Sequence, residues 1–224
     1  MIGLGAPSAA GLADRPADLV LLLGALALLP VAIVSLTSFL KISVVLSVAR
    51  SALGAPQVPP STVVTGLALL LSAGVMAPVA EQALDAARAA PLERGVAGTL
   101  DAAARAAVPL KAFLARHARP DDREVFLDLG ARLRGPVAAP PGADDLAVLA
   151  PAFVVSELRR AFTIGFLVFV PFLVVDLVVA NVLLALGLTQ LSPTSVSLPL
   201  KLLLFVAADG WRVLARGLLL SYVS

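Results

Sequence analysis

The stretch PFLVVDLVVAN at residues 171–181 decides how the rest of the chain has to be arranged. It lies in a run from 161 to 186 in which the only charged side chain is that of Asp176. A polar break at residues 187–199 separates this run from a second apolar one, LKLLLFVAADGWRVLARGLLL at residues 200–220. Because about 20 apolar residues in a helix cross the hydrocarbon core of a bilayer, the two runs predict a membrane-type helical hairpin.

Five polar residues within the apolar segments are candidates for a functional role. They are Lys41, Asp176, Asn181, Lys201 and Asp209. A charge at the middle of a bilayer costs at least about 2.5 kcal/mol on insertion scales. We therefore expect these groups to be shielded by protein or water, and we assign them to subunit assembly or gating.

Two of these positions have simpler alternatives. The Lys41 ammonium group can snorkel to the membrane interface. Asp209-Gly210-Trp211 fits a packing position with the tryptophan as an interfacial anchor, and Asp209 lies three residues before Arg212, at a spacing that lets the two pair along a helix.

The composition also indicates a membrane protein. Of the 224 residues, 59% are hydrophobic and 14% are charged, whereas a soluble domain carries about 25% charged residues. The chain contains no cysteine and one histidine, His117, so it offers neither a disulfide framework nor a histidine-based metal site. The net charge of +2 is small and basic residues are interspersed with acids. We therefore predict no cofactor and no nucleic-acid partner.

The chain divides into four parts, and together they predict an all-α fold with four hydrophobic segments. A mixed tail at residues 1–18 lacks the basic region of a signal peptide. Residues 19–80 form a first hydrophobic helical hairpin, 81–150 a small helical extramembrane insert, and 151–224 the second hairpin with its loop. As one helix, residues 19–49 would measure roughly 46 Å, so this segment tilts, bends near Pro30 or projects beyond the bilayer.

The central insert differs in kind from the hairpins. Residues 81–160 hold 11 basic and 11 acidic side chains, which we expect to form a solvated face. Asp121-Asp122 predicts the start of a helix, with the acids at its N-cap and in its first turn. Apolar residues fall at helical spacing in two groups, which are Leu110, Phe113 and Leu114, then Val125, Phe126, Leu129 and Leu133. The positive-inside rule weakens for loops longer than about 60 residues, so charge alone leaves the side of the membrane undetermined.

Several stretches occur in an order typical of one family. They include TSFLKI at 37–42, APAFVVSEL at 150–158, LPLKLLLF at 198–205 and DGW at 209–211. With them, about residues 20–224 resemble the FliP/SctR export-gate proteins of flagellar and virulence type III secretion systems.

The resemblance implies a core, non-enzymatic subunit of the export apparatus in the bacterial inner membrane. Family members form a pentamer with two smaller membrane subunits, contact membrane lipid, and wind into a conical pore for unfolded secreted proteins. The resemblance also implies a periplasmic central insert. The resemblance further implies that the assembled hairpins sit largely above the bilayer plane, where partner subunits can satisfy Asp176, Asn181 and Lys201.

The chain departs from its flagellar relatives at the pore loop. Flagellar members carry a run of methionines after the helix-ending glycine, whereas Gly187 here is followed by Leu188, Thr189, Gln190 and Leu191. We predict that these four residues form the gate loop and that the leucines close it as a hydrophobic constriction. The missing methionines and the lack of a signal peptide favour the injectisome branch over the flagellar one.

Two other classes of membrane protein have weaker support in the sequence. An intramembrane aspartyl protease would need Asp176 and Asp209 to face each other, and neither is preceded by the glycine-rich approach of such enzymes. A multi-pass secondary transporter fits the composition and the helix-interrupting prolines, but the two hairpins show no internal similarity.

Overall fold

A computed structural model describes residues 20, 23–24, 27, 30–32, 34–55, 58–89, 96–135 and 139–223. Seven helices are bounded within these ranges and no strand occurs in them, which confirms the all-α prediction. The helices are α1 Phe39–Ala52, α2 Ser61–Arg88, α3 Val96–His117, α4 Pro120–Arg134, α5 Leu146–Ala185, α6 Pro193–Ala207 and α7 Gly210–Leu220. The tail predicted for residues 1–18 lies outside the described part of the chain.

Helix α1 packs between α5 and α2. It begins after a turn at residues 36–38, where the Thr37 hydroxyl accepts a hydrogen bond from the Phe39 N–H at 3.2 Å. The apolar segment is therefore interrupted at this turn, while Pro30 itself is helical. Positions spaced three and four apart on α1, Ile42, Val45, Leu46 and Ala49, are fully buried against α5 and α2.

Helix α5 contains 40 residues and is about 60 Å long at 1.5 Å per residue. Its N-terminal part buries Leu149 and Phe153 completely in the core shared with α1, α3 and α4. Gly165 permits a close approach to α1, because a Cβ atom there would lie 3.0 Å from Val48 Cγ1. Beyond this contact, α5 packs mainly on α6 and leaves most of its apolar side chains exposed.

The insert helices pack on the hairpins and share their core. Phe113 and Leu114 of α3 are buried, and the Phe113 ring centroid lies 5.7 Å from that of Phe153. The helical spacing predicted for α4 is confirmed, but Val125, Leu129 and Leu133 are exposed and only Phe126 of that group packs on the core. Helices α2 and α5 also cross the predicted borders at 80/81 and 150/151 without a break.

The second hairpin differs from the prediction at two points. Its polar break ends at Ser192, since Pro193 is the first residue of α6 and Pro199 lies inside that helix rather than in the loop. The last apolar run is divided into α6 and α7 by a corner at Asp209, whose backbone is left-handed with φ 50°.

The Asp209-Gly210-Trp211 triplet forms this corner. The Phe205 ring packs against Gly210 in the space that a side chain would occupy. The Trp211 ring meets Phe205 edge-on with centroids 5.1 Å apart. The triplet thus has a packing role, and Asp209 pairs with Arg212 at 3.4 Å along the helix surface, as predicted.

In the part of the chain that the structure describes, two helices, α2 and α5, are long and apolar enough to cross a membrane by length and composition. Helix α6 is apolar but shorter. These features are consistent with a helical membrane protein.

Gly210 and Gly217, both in α7, provide a matched test of the corner. We expect Gly210→Ala to lower the free energy of unfolding by about 1–3 kcal/mol, because the added Cβ collides with the Phe205 ring. A Cβ atom on Gly217 would meet nothing within 4 Å, so Gly217→Ala should be neutral or stabilise α7 by up to about 1 kcal/mol. Denaturant titration of the detergent-solubilised protein measures both, and equal effects would contradict the packing role.

Candidate functional site

The buried carboxylate of Glu157 on α5 contacts side chains of α1, of α5 itself and of the C-terminal turn. Its side chain is 0% exposed. Oε2 lies 3.2 Å from Lys41 Nζ of α1 and accepts a hydrogen bond from the Tyr222 hydroxyl. Oε1 accepts a hydrogen bond of 2.9 Å from Arg160. We call these four residues the Glu157 cluster.

The position of Lys41 contradicts the snorkelling alternative. Its side chain is 1% exposed, and its ammonium nitrogen lies 3.6 Å from the centroid of the Tyr222 ring. Burial of an ammonium group is costly unless it is paired and hydrogen-bonded. Glu157 and the face of the Tyr222 ring together provide that compensation.

Tyr222 links the C-terminal turn to α1 and α3. Its ring packs edge-on against His117 with centroids 5.0 Å apart and stacks on Phe113 at 6.0 Å. Its hydroxyl also lies 3.5 Å from the Ser38 carbonyl oxygen. Ser38 in turn contacts the Ser72 hydroxyl of α2 at 2.9 Å. The Glu157 cluster is therefore continuous with a polar contact between α1 and α2.

A second buried network fixes α4 to α5. The Ser156 hydroxyl accepts a hydrogen bond of 2.9 Å from the Arg119 N–H and donates one of 2.7 Å to Asp122. Arg159 donates to the other Asp122 oxygen at 3.3 Å. Asp121 and Asp122 lie in the first turn of α4 as predicted, but the N-cap residue is Arg119 and Asp122 faces inward.

The third network ties α5 to α6 within the second hairpin. Asp176 accepts hydrogen bonds from Lys201 Nζ at 2.5 Å and from the Ser197 hydroxyl at 2.6 Å. Lys201 is buried and lies near the loop between α1 and α2, since a Cβ on Gly54 would be 3.7 Å from its ammonium nitrogen. Asn181 donates to the Leu177 carbonyl oxygen at 2.9 Å. Each of these three side chains has a hydrogen-bond partner inside the subunit, and contacts with partner subunits stay a prediction.

The four residues predicted as the gate loop lie at the tip of the second hairpin. Helix α5 ends in a Schellman motif, with Gly187 at φ 71° and the Leu188 N–H bonded to the Leu183 carbonyl oxygen at 2.9 Å. The Leu191 N–H closes the turn on the Leu188 carbonyl oxygen at 3.2 Å. Leu188 and Leu191 are 43% and 50% exposed. Thr189 and Gln190 are also exposed, so the whole tip is available to a neighbour.

The five polar residues predicted for assembly or gating thus do not form one site. The structure brings Asp176 and Lys201 together, assigns Lys41 to the Glu157 cluster, and leaves Asn181 and Asp209 on the surface. Sequence reasoning missed the buried roles of Glu157 and Tyr222. Glu157 lies in the charged segment at residues 156–160, and only its position opposite Lys41 distinguishes it from an exposed acid. Within the described ranges, no three side chains of His, Asp or Glu converge as metal ligands.

The structure combines apolar helical hairpins, an ion pair between helices and a polar helical insert. This combination is that of a helical membrane-type protein. The FliP family profile matches residues 22–218 of the chain. The chain belongs to the FliP family, and so to the subunits of flagellar and type III secretion export apparatuses.

The chain is similar to proteins named for pathogenicity, for secretion and for flagellar biosynthesis. The chain is 48% identical to "Pathogenicity-related ORF2" of Xanthomonas campestris pv. glycines, over 88% of this chain and 92% of that protein. It is 45% identical to "Hypersensitivity response secretion protein HrcR" of Ralstonia nicotianae, over 92% and 97%. It is 44% identical to "Flagellar biosynthetic protein FliP" of Pectobacterium carotovorum subsp. carotovorum, over 91% and 77%. The names of the first two support the injectisome branch, and a membrane location follows from the family and the apolar helices.

The Glu157 cluster can be tested by a double-mutant cycle. Glu157→Gln leaves Lys41 buried without a carboxylate, so we expect a loss of about 3–5 kcal/mol in the free energy of unfolding. Combining it with Lys41→Met should cost less than the sum of the two single changes, because no unpaired ammonium group remains. Denaturant titration in detergent measures the cycle.

The exposed pair Asp85 and Arg88 serves as the control for this cycle. Both side chains are 76% exposed, so Asp85→Asn should leave stability almost unchanged. Strictly additive effects of Glu157→Gln and Lys41→Met would show that the two side chains do not interact.

Proposed function

We propose that the chain is a pore-forming subunit of a type III secretion export apparatus in the inner membrane and conducts unfolded secreted proteins. The observation that carries this proposal is the α5–α6 hairpin, an apolar arm locked by Asp176 and Lys201 and ending in two exposed leucines. Such an arm has a fixed direction and presents its tip to other molecules. Family membership supports a role in export.

The apolar surface of this arm supports assembly into an oligomer. Leu203 and Val206 of α6 are 70% and 75% exposed, and Leu177 and Val178 of α5 are also largely uncovered. Continuous apolar surface of this kind is covered by lipid or by another protein. We propose a pentamer with two smaller membrane subunits, as the family resemblance implies, with Asn181 and Asp209 available for contacts between subunits.

The hairpin tip is the proposed gate. In a ring of identical subunits, the tips converge on one axis and bring Leu188 and Leu191 of each copy together. A ring of leucines excludes water from a narrow constriction. Thr189 and Gln190 are exposed and carry hydrogen-bonding groups that can join neighbouring tips. The backbone hydrogen bonds of the tip are local turn bonds, unlike the polar pairs that join separate helices, so the tip can rearrange without breaking the core.

A flagellar role is the second candidate, because a flagellar biosynthetic protein is 44% identical to the chain. Expression in strains that lack their own injectisome or flagellar subunit separates the two. Restored secretion of virulence substrates without restored motility supports the injectisome branch, and the reverse supports the flagellar one. An intramembrane protease finds no support, since Asp176 and Asp209 are paired with different cations, Lys201 and Arg212.

The proposed orientation places the insert in the periplasm. Since the chain has no cysteine, single cysteines at Arg105 and Arg132, both on exposed parts of the insert, can be labelled selectively. We expect both to react with a membrane-impermeant thiol reagent in cells with a permeabilised outer membrane. A cysteine at the exposed Val58, in the loop between α1 and α2, should react only after the inner membrane is opened. The opposite pattern would reverse the orientation.

Replacing both leucines of the tip tests the gate. We expect the Leu188→Ser/Leu191→Ser variant to assemble normally and to raise the permeability of resting cells to ions and small dyes severalfold, because the constriction stays hydrated. The matched control is Leu129→Ser/Leu133→Ser, which removes two exposed leucines of α4 and should leave permeability unchanged. A tip variant that assembles fully and stays as tight as the unmodified protein would assign the seal to another segment.

A further inference from the structure

The sole histidine of the chain, His117, is buried where α3 meets the C-terminal turn at residues 221–223. Its side chain packs on Phe113 and Tyr222, with ring centroids 4.6 and 5.0 Å apart. We propose that His117 is a pH-sensitive latch for this turn. The neutral ring holds Tyr222 in the Glu157 cluster, and the protonated ring releases it. The inference does not depend on the proposed pore.

Tyr222 is the polar anchor of the C-terminal turn. Its hydroxyl reaches Glu157 of α5 and the Ser38 carbonyl oxygen. The other side-chain hydrogen bonds of α7 and this turn, which come from Arg212 and Ser221, stay within the segment itself. In the described part of the chain, Tyr222 alone therefore joins this segment to other helices by side-chain hydrogen bonds. Displacing its ring removes that link.

One carboxylate, that of Glu157, faces the imidazole, and its oxygens are already engaged. Oε2 contacts Lys41 and the Tyr222 hydroxyl, and Oε1 accepts a hydrogen bond from Arg160. Lys41, Arg160 and the neighbouring Arg116 are the cations that act on the imidazole. A protonated ring is therefore the fourth cation around a single carboxylate, and the repulsion among these like charges disfavours it.

The charged groups of the adjoining segments do not relieve this excess. Arg119 and Arg159 line the same cleft as the imidazole, which has a volume of about 510 Å³, and they pair with Asp121 and Asp122. Asp122 also accepts a hydrogen bond from the Ser156 hydroxyl. Among the described residues that line the cleft, none is acidic. A proton on the imidazole thus finds no free carboxylate beside it.

The contact between the rings gives this charge a direct effect on Tyr222. The Lys41 ammonium nitrogen lies 3.6 Å from the centroid of the Tyr222 ring, and His117 meets the same ring at an interplanar angle of 69°. While it is neutral, the imidazole packs there as an aromatic partner. Once protonated, it places a second cation beside a ring that already holds one. The charged ring requires hydration, and water that enters from the cleft separates it from Tyr222.

The direction of the pH dependence follows from the environment of the imidazole. The cleft gives water access to it, and burial lowers the pKa of His117 below its ordinary value of 6.5. Because the folded chain binds this proton less readily than the unfolded chain, the stability that the neutral ring contributes is present above the ordinary value. It is lost as the pH falls through the folded-state pKa. The latch is therefore closed at neutral pH and opens in acid.

Carbon-13 NMR of the detergent-purified chain, with its purification tag removed, can test the latch directly. His117 and Tyr222 are the only histidine and the only tyrosine of the chain, so labelling both amino acids gives one set of ring signals for each. We expect the His117 signals to titrate with a midpoint below pH 6.5. The Tyr222 signals should move with the same midpoint towards those of a solvent-exposed tyrosine.

Variants assign this change to the histidine. His117→Gln keeps a polar side chain that cannot be protonated, so the Tyr222 signals should hold their neutral-pH positions down to about pH 5. Adding Gln82→His to this variant places a histidine at an exposed position of α2, which should titrate without moving Tyr222. Arg116→Gln should raise the His117 midpoint, because it removes a facing cation. The control Arg132→Gln, which changes an exposed arginine of α4 outside the cleft, should leave the midpoint unchanged.

Three results would overturn the proposal. The first is a His117 midpoint at or above pH 6.5, and the second is a set of Tyr222 signals that stays constant while His117 titrates. The third is an acid-induced movement of Tyr222 that persists in His117→Gln, since the titrating group would then be a carboxylate. If His117→Gln does not fold, the comparison of the two midpoints in the unmodified chain decides.

Discussion

The structure depends on a fully buried carboxylate that needs cations around it. Glu157 is enclosed by α1, α5 and the C-terminal turn. Removing any of its partners leaves a buried charge that neither water nor the protein compensates. An apolar interface alone tolerates sliding, since many side-chain arrangements bury similar area. A charge that is satisfied in only one arrangement fixes the register of the helices that meet there. Residues from opposite ends of the chain, Lys41 and Tyr222, are thereby held in one place.

The polar networks are distributed along α5 in a way that separates a rigid base from a projecting arm. Ser156 and Glu157 join the N-terminal part of α5 to the insert and to α1. About four turns beyond Arg160, Asp176 joins α5 to α6. The tip that follows lies outside these networks and carries exposed leucines. This division suits a subunit whose base is fixed while its tip meets other copies.

The exposed apolar side chains of α5 and α6 differ in arrangement from those of α4. The second half of α5 and α6 present a nearly continuous apolar surface that matches a membrane or an oligomer interface. Helix α4 instead shows single apolar side chains on a charged background, which is ordinary for a protein surface.

The sequence by itself determined the all-α class, the hairpin tip and the family, because these follow from local signals. Gly187 and the pair Ser192-Pro193 mark helix ends through backbone geometry, and long apolar runs follow from composition alone. What it could not determine was which distant side chains meet. Glu157 is separated from Lys41 by 116 residues and from Tyr222 by 65, and no local pattern encodes such pairing. Only the tertiary structure decided that Lys41 is buried rather than interfacial and that Asp176 is satisfied within its own subunit. The reason is that the cost of burying a charge depends on its partners, and the fold alone brings those partners together.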